Sequence, residues 1–560
     1  MNYKSDVTII GSGIAGTILA SILARQGLSV LVVEAKSHPR FAIGESQIIE
    51  TSEIMRGLAL LFDVPEIAHF SSENFFPVIG YSHGVKRHFS FTYHRQSKSA
   101  NPQEILQAVI PQEPYGHELH IYRQDSDFYY LAVARKYGAT VLQNTKVTAV
   151  DMDASGVTLQ TASGAVIASR FLVDACGYHS LLARKYDLRD TNLLTHSRSI
   201  FSHLIRIPSY HDISGRKGAL RLPYSFSEGT LHHLFHGGWL WVIPFNNHQR
   251  AVNPFCSVGL MLDPRLYPRD ESRTAEEEFF SILKRFPSIY AQMKDGIAVR
   301  DWVRTDRIQY SSTQVVGDRF ALLGHSAGFI DPLFSKGLYA SLSCVGALAQ
   351  QLLTSHAENR FQRSDFTWVE TKTKNIIRAN DRLIAYAYKS FVDYQLWHLY
   401  SVLWLLGAYL EGLKLSTARF RYLSGGSREG YLEEIRDLKL VGGLWPDFDR
   451  LSDEIYAILD AVGDDEKAIE PAIEKIKKVY ARTDWIPFVF RDIIAGKNHL
   501  PKSKFRLRLF RRKGGFRGTG NYRKHFFSSL GWWQMGIFIV QEKWRNRPDH
   551  LRRKFEQIVT

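Results

Sequence analysis

Cysteine is scarce in this 560-residue chain, and the few cysteines lie far apart. Cys176, Cys256 and Cys344 form neither a C-x-x-C pair nor a metal-ligand spacing. Proteins held together by disulfides carry many more cysteines at closer intervals. The pattern therefore predicts no disulfide framework and no metal site, and it favours a reducing, cytoplasmic location.

Long apolar runs are also missing. The most apolar long segment, LWHLYSVLWLLGAYL at 396–410, contains His398 and Ser401 and is followed by Glu411. It is shorter than the ~20 apolar residues that a transmembrane helix needs, so we predict a buried helix instead. The N-terminal MNYKSDVTII leads into an apolar run that is too short for the core of a signal peptide.

Acidic residues are outnumbered by basic ones. The chain has 71 Lys and Arg against 56 Asp and Glu, a net charge of +15, and much of the excess lies in 502–518 and 543–555. Such segments are either solvated or bind an acidic partner, such as an acidic carrier protein, a membrane surface or a nucleic acid. No recognisable nucleic-acid motif accompanies the charge, so we expect no nucleic-acid partner.

What the sequence does contain is a dinucleotide-binding pattern at its start. Residues 6–36 read as a strand, a GxGxxG turn, a helix and a second strand that ends in Glu34. In such a βαβ unit the glycines, here Gly11, Gly13 and Gly16, permit a tight turn, the approach of a pyrophosphate and close packing of helix on strand. Strand, helix, strand and terminal acid together predict a nucleotide site.

The same segment favours FAD or NAD over NADP. A helix that starts with Ile14 and Ala15 directs unpaired N–H groups and the positive end of its dipole toward phosphates. Glu34 can accept hydrogen bonds from a ribose diol, which favours an unphosphorylated 2′-OH. No second GxGxxG of this quality occurs, so a separate NADPH-binding fold is disfavoured, and FAD in an extended form suits the single site.

Later segments resemble the remaining FAD-binding segments of the para-hydroxybenzoate-hydroxylase-like flavoproteins. These are RxDxxF at 123–128, DACG at 174–177 and GDRFALLGHSAGFIDP at 317–332, while RFAIGES at 40–46 follows the first βαβ unit. Beside the first motif, the resemblance implies cofactor contacts from Arg40, Gly44, Glu45, Ser46, Arg123, Asp174, His325, Pro332 and Gly337.

Two further motifs resemble the flavin-dependent halogenases. GGWLWVIPF contains WxWxIP, with Trp239 and Trp241, and FIDPLFSKG at 329–337 fits FxxPxxSxG. The segment 381–407 is similar to the helical C-terminal region of the branch that acts on phenolic, pyrrolic or carrier-tethered substrates. The resemblance extends over residues 5–410.

The halogenase resemblance implies a reaction of FADH2, O2 and a halide. In that family a flavin hydroperoxide oxidises chloride or bromide to hypohalous acid, which reaches the substrate in a separate pocket. Trp239 and Trp241 are expected to keep the substrate away from the flavin, although an amphipathic strand with buried rings has the same period of two. Backbone N–H groups around Ser335, Lys336 and Gly337 can form a nest for a halide or for the reduced flavin. A separate flavin reductase and a small aromatic or acyl-carrier-tethered substrate are implied as partners.

The sequence departs from the family pattern at a lysine that receives or orients hypohalous acid. The segment matched to it, FFPVIGYSHG at 75–84, has Phe76 at the lysine position, and phenylalanine offers neither a charge nor a donor. Lys336 is therefore our candidate for a substitute cation, followed by Lys86 and Arg87. The alternative for Lys336 is an ammonium group that points into solvent.

Three functions stay open at this point. Both long motifs favour a halogenase. Phe76 favours a halogenase-like monooxygenase or oxidase that uses no halide. A non-catalytic flavin-binding protein, such as a docking platform for a carrier protein, is disfavoured by the intact nucleotide motif.

The predicted fold is α/β (α+β), with a Rossmann-like FAD-binding domain, an antiparallel-sheet substrate domain and a helical C-terminal region. The FAD-binding domain is predicted to comprise 1–75, 105–190 and 313–365. The substrate domain is predicted at 76–104 and 191–312, and the helical region at 366–560.

Overall fold

A computed structural model of the protein describes most of the chain. The described residues are 2–112, 114–213, 222–443, 445–463, 465–500 and 532–545. The basic segment 502–518 and most of 543–555 lie outside these ranges, so their binding of an acidic partner stays a prediction.

Strands alternate with helices in the first part of the chain, and helices dominate the last part. The strands are β1 Asn2–Ile10, β2 Val30–Val33, β3 Gly84–Lys86, β4 His88–His94, β5 Ile105–Val109, β6 Glu118–His120, β7 Thr140–Leu142, β8 Val147–Met152, β9 Val157–Thr161, β10 Val166–Asp174, β11 Arg189–Asp190, β12 Arg198–Ile205, β13 Thr230–Phe235, β14 Gly238–Pro244, β15 Cys256–Leu262, β16 Ile297–Ala298, β17 Val303–Thr305, β18 Ser311–Ser312, β19 Val316–Gly317 and β20 Phe320–Leu322. The α-helices are α1 Ile14–Arg25, α2 Ile49–Phe62, α3 Phe76–Ile79, α4 Arg123–Lys136, α5 Leu181–Lys185, α6 Tyr210–Ile213, α7 Ala275–Leu283, α8 Pro287–Met293, α9 Gly337–Glu358, α10 Thr367–Ser390, α11 Tyr394–Leu423, α12 Arg428–Arg436, α13 Pro446–Asp460, α14 Ile469–Arg482, α15 Phe488–Ile494 and α16 Trp532–Arg545.

The chain forms two compact units, each assembled from three separate segments. The first unit consists of Met1–Ser71, Ile121–Leu193 and Gln309–Asp381, and the second of Ser72–His120, Leu194–Ile308 and the described part of Arg382–Thr560. Residues 105–120, which we assigned to the FAD-binding domain, lie in the second unit, because β5 pairs with β4 and β6 pairs with β3. Residues 366–381, assigned to the helical region, lie in the first.

The first unit contains a mainly parallel sheet with the strand order β19-β20-β10-β1-β2-β7. β1 runs parallel to both β10 and β2, and β2 runs parallel to β7. The residues of β2, Val30–Val33, are all buried, as in strands that are covered on both faces. The sequence β1–α1–β2 confirms the predicted βαβ unit.

The second unit contains a sheet with the strand order β16-β12-β15-β14-β13-β4-β5, and β17 pairs with β12. Its pairs are antiparallel except β4 and β13, which run parallel. These two strands come from distant segments that no hairpin connects, so their relative direction was not encoded in a local turn. One face of the sheet packs into a hydrophobic core with α7 and α8.

The apolar segment 396–410 lies within α11 and is largely buried, as predicted. The helix begins after Asp393, whose carboxylate accepts hydrogen bonds from the N–H groups of Gln395 and Leu396. Among the described residues, no helix combines the length and the apolar character that a membrane crossing requires. The three cysteines form no disulfide.

Candidate functional site

The glycine-rich turn between β1 and α1 has the expected geometry. Gly11 has φ +99°, and a Cβ there would lie 2.6 Å from the Ala175 carbonyl oxygen. A Cβ on Gly16 would lie 2.4 Å from the Gly11 carbonyl oxygen, whereas a Cβ on Gly13 would meet only the Arg40 side chain, at 3.7 Å. Gly11 and Gly16 are therefore required by the packing of the protein itself. Gly13 leaves open the space that a pyrophosphate needs.

We expect Gly13→Val to abolish FAD retention while the melting temperature of the apoprotein stays within a few degrees. Gly13 has φ −71°, so a side chain strains nothing and only obstructs the ligand. Gly16→Val is the matched control, because its side chain collides with backbone and should lower the melting temperature itself. Flavin absorbance after gel filtration, together with thermal unfolding, measures both effects. If Gly13→Val retains FAD, this turn does not bind the pyrophosphate.

Glu34 directly follows β2, at the predicted position. Its carboxylate accepts hydrogen bonds from the Ser12 backbone N–H at 3.0 Å, the Ser12 hydroxyl at 2.7 Å and the Lys36 N–H at 3.0 Å. Burial opposes its charge, but the Arg40 guanidinium, 3.5 Å away, and the Ser12 bonds outweigh burial and hold the pKa of Glu34 below its usual value. The carboxylate is therefore charged at neutral pH and able to accept hydrogen bonds from a ribose.

Arg123, the first residue of α4, fastens the loop that contains Gly44 and Glu45. Its guanidinium donates to the Ile43 carbonyl oxygen at 2.5 Å and to Asp127 at 2.8 Å. The Glu45 carbonyl oxygen accepts a hydrogen bond from Ile121 N–H at 2.7 Å. These bonds hold the predicted cofactor loop against the start of the helix.

Asp174 ends β10, as predicted, and its carboxylate organises the following turn. It accepts hydrogen bonds from Cys176 N–H at 3.0 Å, the Ser180 hydroxyl at 2.8 Å and Leu182 N–H at 3.0 Å. The Ser326 hydroxyl donates to it at 3.2 Å. Asp174 thus ties two loops of the first unit together, and a direct contact with FAD stays a prediction.

The FxxPxxSxG turn holds Lys336 in a buried ion pair. The Ser335 N–H donates to the Pro332 carbonyl oxygen at 2.9 Å, and the Ser335 hydroxyl lies 3.1 Å from that of Ser46. The Lys336 ammonium donates to Glu50 at 2.5 Å, and the two side chains are 1% and 4% exposed. The alternative that Lys336 points into solvent is therefore wrong, and its charge is balanced by Glu50.

His325 stands beside the same turn with an exposed side chain. Its ring lies edge-on to Phe329 with 4.8 Å between centroids, and its carbonyl oxygen accepts a hydrogen bond from the Tyr310 hydroxyl at 2.7 Å. A Cβ on Gly337 would lie 3.3 Å from the His325 ring, so a larger residue there would press on the imidazole. All residues that we predicted to bind FAD lie in the first unit.

Trp239 and Trp241 lie in the second unit, on the face of β14 that turns away from the α7–α8 core. Their ring centroids are 5.8 Å apart, and both side chains are buried. Gly259 is opposite Trp241 on β15, and a Cβ there would lie 2.2 Å from the indole. The Trp241 indole N–H donates to the Ser257 hydroxyl at 3.1 Å. The predicted strand with alternate indoles is confirmed.

The same face continues across β13 and β4. His232 is opposite both Trp241 and Phe91 in the ladder, and its ring is stacked 4.6 Å from that of Phe91. Trp397 and Trp404 of α11 cover Phe91 at 5.1 and 5.6 Å. We call this surface the aromatic face and define it by Phe89, Phe91, His232, Trp239 and Trp241.

Lys86, the last residue of β3, is a fully buried cation at this face. Its ammonium lies 3.4 Å from the centroid of the Phe89 ring, and Glu118 is its partner in the ladder. His88 and His120 are nearby, and burial, together with the charge of Lys86, lowers their pKa values to about 3. The neighbouring imidazoles are therefore neutral, and Lys86 is the positive charge of this cluster. A desolvated ammonium on a ring is stabilised by ~2 kcal/mol or more.

Phe76 has a packing role in the second unit. It begins α3, it is buried, and its ring is stacked on that of His248 at 4.8 Å. From the sequence, Lys86 ranks below Lys336 as a candidate cation, and no motif marks His232. The alternation of β13 could have indicated His232. In its sequence, TLHHLF, the residues Thr230, His232 and Leu234 share one face.

Comparison with protein families gives two matches. A model described as tryptophan halogenase matches residues 86–398, more than half of the chain. A model described as an NAD(P)-binding Rossmann-like domain matches residues 9–73.

Comparison with individual proteins gives matches over most of the chain. It is 40% identical to the monodechloroaminopyrrolnitrin halogenase PrnC of Pseudomonas fluorescens, over 90% of this chain and 89% of that protein. It is 38% identical to the tetracycline 7-halogenase of Kitasatospora aureofaciens, over 86% and 87%. The crystal structure of halogenase PltM in complex with phloroglucinol and FAD superposes with a TM-score of 0.85 and 32% identity, over 89% of this chain and 99% of that one.

Proposed function

The chain belongs to the tryptophan halogenase family, and from this premise we propose that it transfers halogen to a free, electron-rich aromatic molecule. It is an FAD-dependent oxidoreductase of the flavin-dependent halogenase type, which uses FADH2, O2 and a halide. The open space at Gly13 and the charged Glu34 fit a bound dinucleotide. When bound, reduced FAD would activate O2, and O2 is the oxidant that converts chloride or bromide into hypohalous acid.

The observation that carries the proposal is the buried ammonium of Lys86 at the aromatic face. Its Phe89 platform stacks with His232 at 5.8 Å, and His232 contacts Trp239 at 5.5 Å. A cation in dry surroundings can donate to hypohalous acid and polarise its O–X bond. We propose that Lys86 is the lysine that receives or orients hypohalous acid in this family, and that Phe76 does not occupy its position. We propose that Lys336 instead neutralises the charge of Glu50.

The indoles complete the proposed arrangement. We propose that Trp239 and Trp241 keep the substrate from the flavin, so that a small oxidant alone reaches it. Space for the Trp241 ring is made by Gly259, and its N–H is fixed by Ser257. Both features support a rigid barrier.

The relatives with the higher sequence identity favour a free substrate molecule over a carrier-tethered one. PrnC and the tetracycline 7-halogenase are named for free molecules, whereas the 1H-pyrrole-2-carbonyl-[peptidyl-carrier protein] chlorinase of Pseudomonas fluorescens is 27% identical. A carrier-tethered substrate is thus our second candidate. We also propose a separate flavin reductase, because the sequence has one GxGxxG site of this quality, and a cytoplasmic location.

The test combines the purified protein with an NADH-dependent flavin reductase, FAD, O2 and phloroglucinol at varied chloride or bromide. We expect a product whose mass rises by one halogen for hydrogen exchange, in proportion to halide, and no turnover when the reductase is left out. A phosphopantetheine-tethered pyrrole as the alternative substrate separates the two candidates. Turnover of NADH by the protein alone would refute the separate reductase.

A further inference from the structure

The aromatic face contains an imidazole nitrogen that no described residue engages. His232 Nδ1 lies 3.1 Å from the Ser90 carbonyl oxygen. A carbonyl oxygen only accepts, so Nδ1 carries the proton. Burial, and next the charge of Lys86, lower the pKa of His232 to about 3, so the ring is neutral. Nε2 is therefore an unprotonated acceptor, and among the described residues none donates a hydrogen bond to it.

The neighbouring indole provides the complementary group. Trp239 is 1% exposed, and its Nε1–H has no acceptor in the described part of the chain. The matching N–H of Trp241 is satisfied by Ser257, whereas the buried indole N–H of Trp302, outside this strand, also has no acceptor in the described part of the chain. The rings of His232 and Trp239 lie 5.5 Å apart. Buried polar atoms are usually paired in proteins, so the Trp239 N–H, together with the unengaged Nε2 of the neighbouring ring, points to a polar ligand group.

We propose that His232 and Trp239 together recognise a ring hydroxyl or amino group of the aromatic substrate. The substrate O–H or N–H donates to His232 Nε2, and the same oxygen or nitrogen accepts from the Trp239 indole N–H. This rests on the proposed function and narrows its substrate class to phenols and arylamines.

Other substrate classes satisfy only one of the two atoms. An aryl ether has an acceptor but no donor, and a pyrrole N–H has a donor but no free lone pair. A hydroxyl or amino group has both. A hydroxyl or amino group also donates electron density to the ring. The group that is recognised is therefore the one that makes the ring carbons reactive toward hypohalous acid.

The position of Lys86 agrees with this assignment. Its ammonium rests on Phe89, which stacks with His232. The proposed oxidant site and the proposed substituent site are thus joined through one ring. A substrate held at His232 would present carbons next to its hydroxyl or amino group to the halogen.

The test compares two equally electron-rich rings, phloroglucinol and 1,3,5-trimethoxybenzene. We expect His232→Phe, which keeps an aromatic ring but removes the acceptor, to lower kcat/KM for phloroglucinol at least about tenfold, as the loss of one good hydrogen bond would. Activity on trimethoxybenzene, which cannot donate, should change less than about twofold by the same reasoning. His236→Phe, at an exposed histidine just after β13, is the matched control and should leave both unchanged.

Failure of this inference is distinguishable from failure of the proposed function. Halide-dependent chlorination of monochlorodimedone, a diffusible trap, reports hypohalous acid without substrate recognition and should persist in His232→Phe, as should FAD retention. If the wild-type protein forms no halide-dependent product from phloroglucinol, the proposed function is wrong, and calorimetric binding of phloroglucinol to wild type and variant decides the inference. The inference would be overturned if wild type and His232→Phe had equal kcat/KM or Kd values for phloroglucinol. It would also be overturned if the variant lost equal fractions of kcat/KM on phloroglucinol and on trimethoxybenzene.

Discussion

Replacing Lys86 with methionine is expected to lower kcat for halogenation by ~10³-fold, the scale found when one preorganised donor is removed from an active site. Methionine fills much of the buried volume but offers no charge and no donor. FAD should stay bound, and reduced flavin should still consume O2, because the residues that we predict to bind the nucleotide all lie in the first unit. Product formation and O2 consumption, measured together, will show the uncoupling.

Arg87→Met is the matched control for Lys86→Met. Arg87 is the next residue, it is only partly buried, and it pairs with Glu228 at 2.8 Å. We expect its kcat to fall less than about threefold, since partly exposed pairs contribute little. Halogenation by Lys86→Met at more than a third of the wild-type rate, with its melting temperature preserved, would show that another group handles the oxidant.

Replacing Lys336 with alanine is expected to lower the free energy of unfolding by about 3–5 kcal/mol, because it leaves the Glu50 carboxylate buried without its counterion. The two side chains are almost inaccessible and 2.5 Å apart. The double variant Lys336→Met/Glu50→Gln removes both charges and should recover most of the loss. Urea unfolding of the single and double variants measures this directly.

The exposed pair Lys389–Asp460 is the control for this effect. Lys389→Ala should cost less than ~1 kcal/mol, as surface ion pairs usually do. The opposite outcome for Lys336→Ala, wild-type stability with loss of halogenation, would restore Lys336 as the cation that handles the oxidant.

Local patterns of the sequence were sufficient for several elements. The βαβ unit with Gly11, the end of β10 at Asp174, the indole strand at Trp239 and the buried helix at 396–410 all follow from periodicity and turn residues within short windows. Such features depend on neighbours in the chain, so they are readable without the fold.

Long-range pairings were not readable in this way. Glu50 and Lys336 are 286 positions apart, and nothing near Lys336 indicates its counterion. The parallel pairing of β4 with β13 places His232 beside Phe91, a contact that no hairpin specifies. Lys86 looked like an ordinary charged residue because its burial is produced by elements far away in the sequence.

The most direct test of the central claim, that this protein delivers halogen and not oxygen to its substrate, is one turnover in 18O2 with bromide and phloroglucinol. We predict a product that contains bromine and no 18O, because the oxygen of the hypohalous acid leaves as water. A product that contains 18O, formed equally well without bromide, would contradict the account and identify the protein as a monooxygenase.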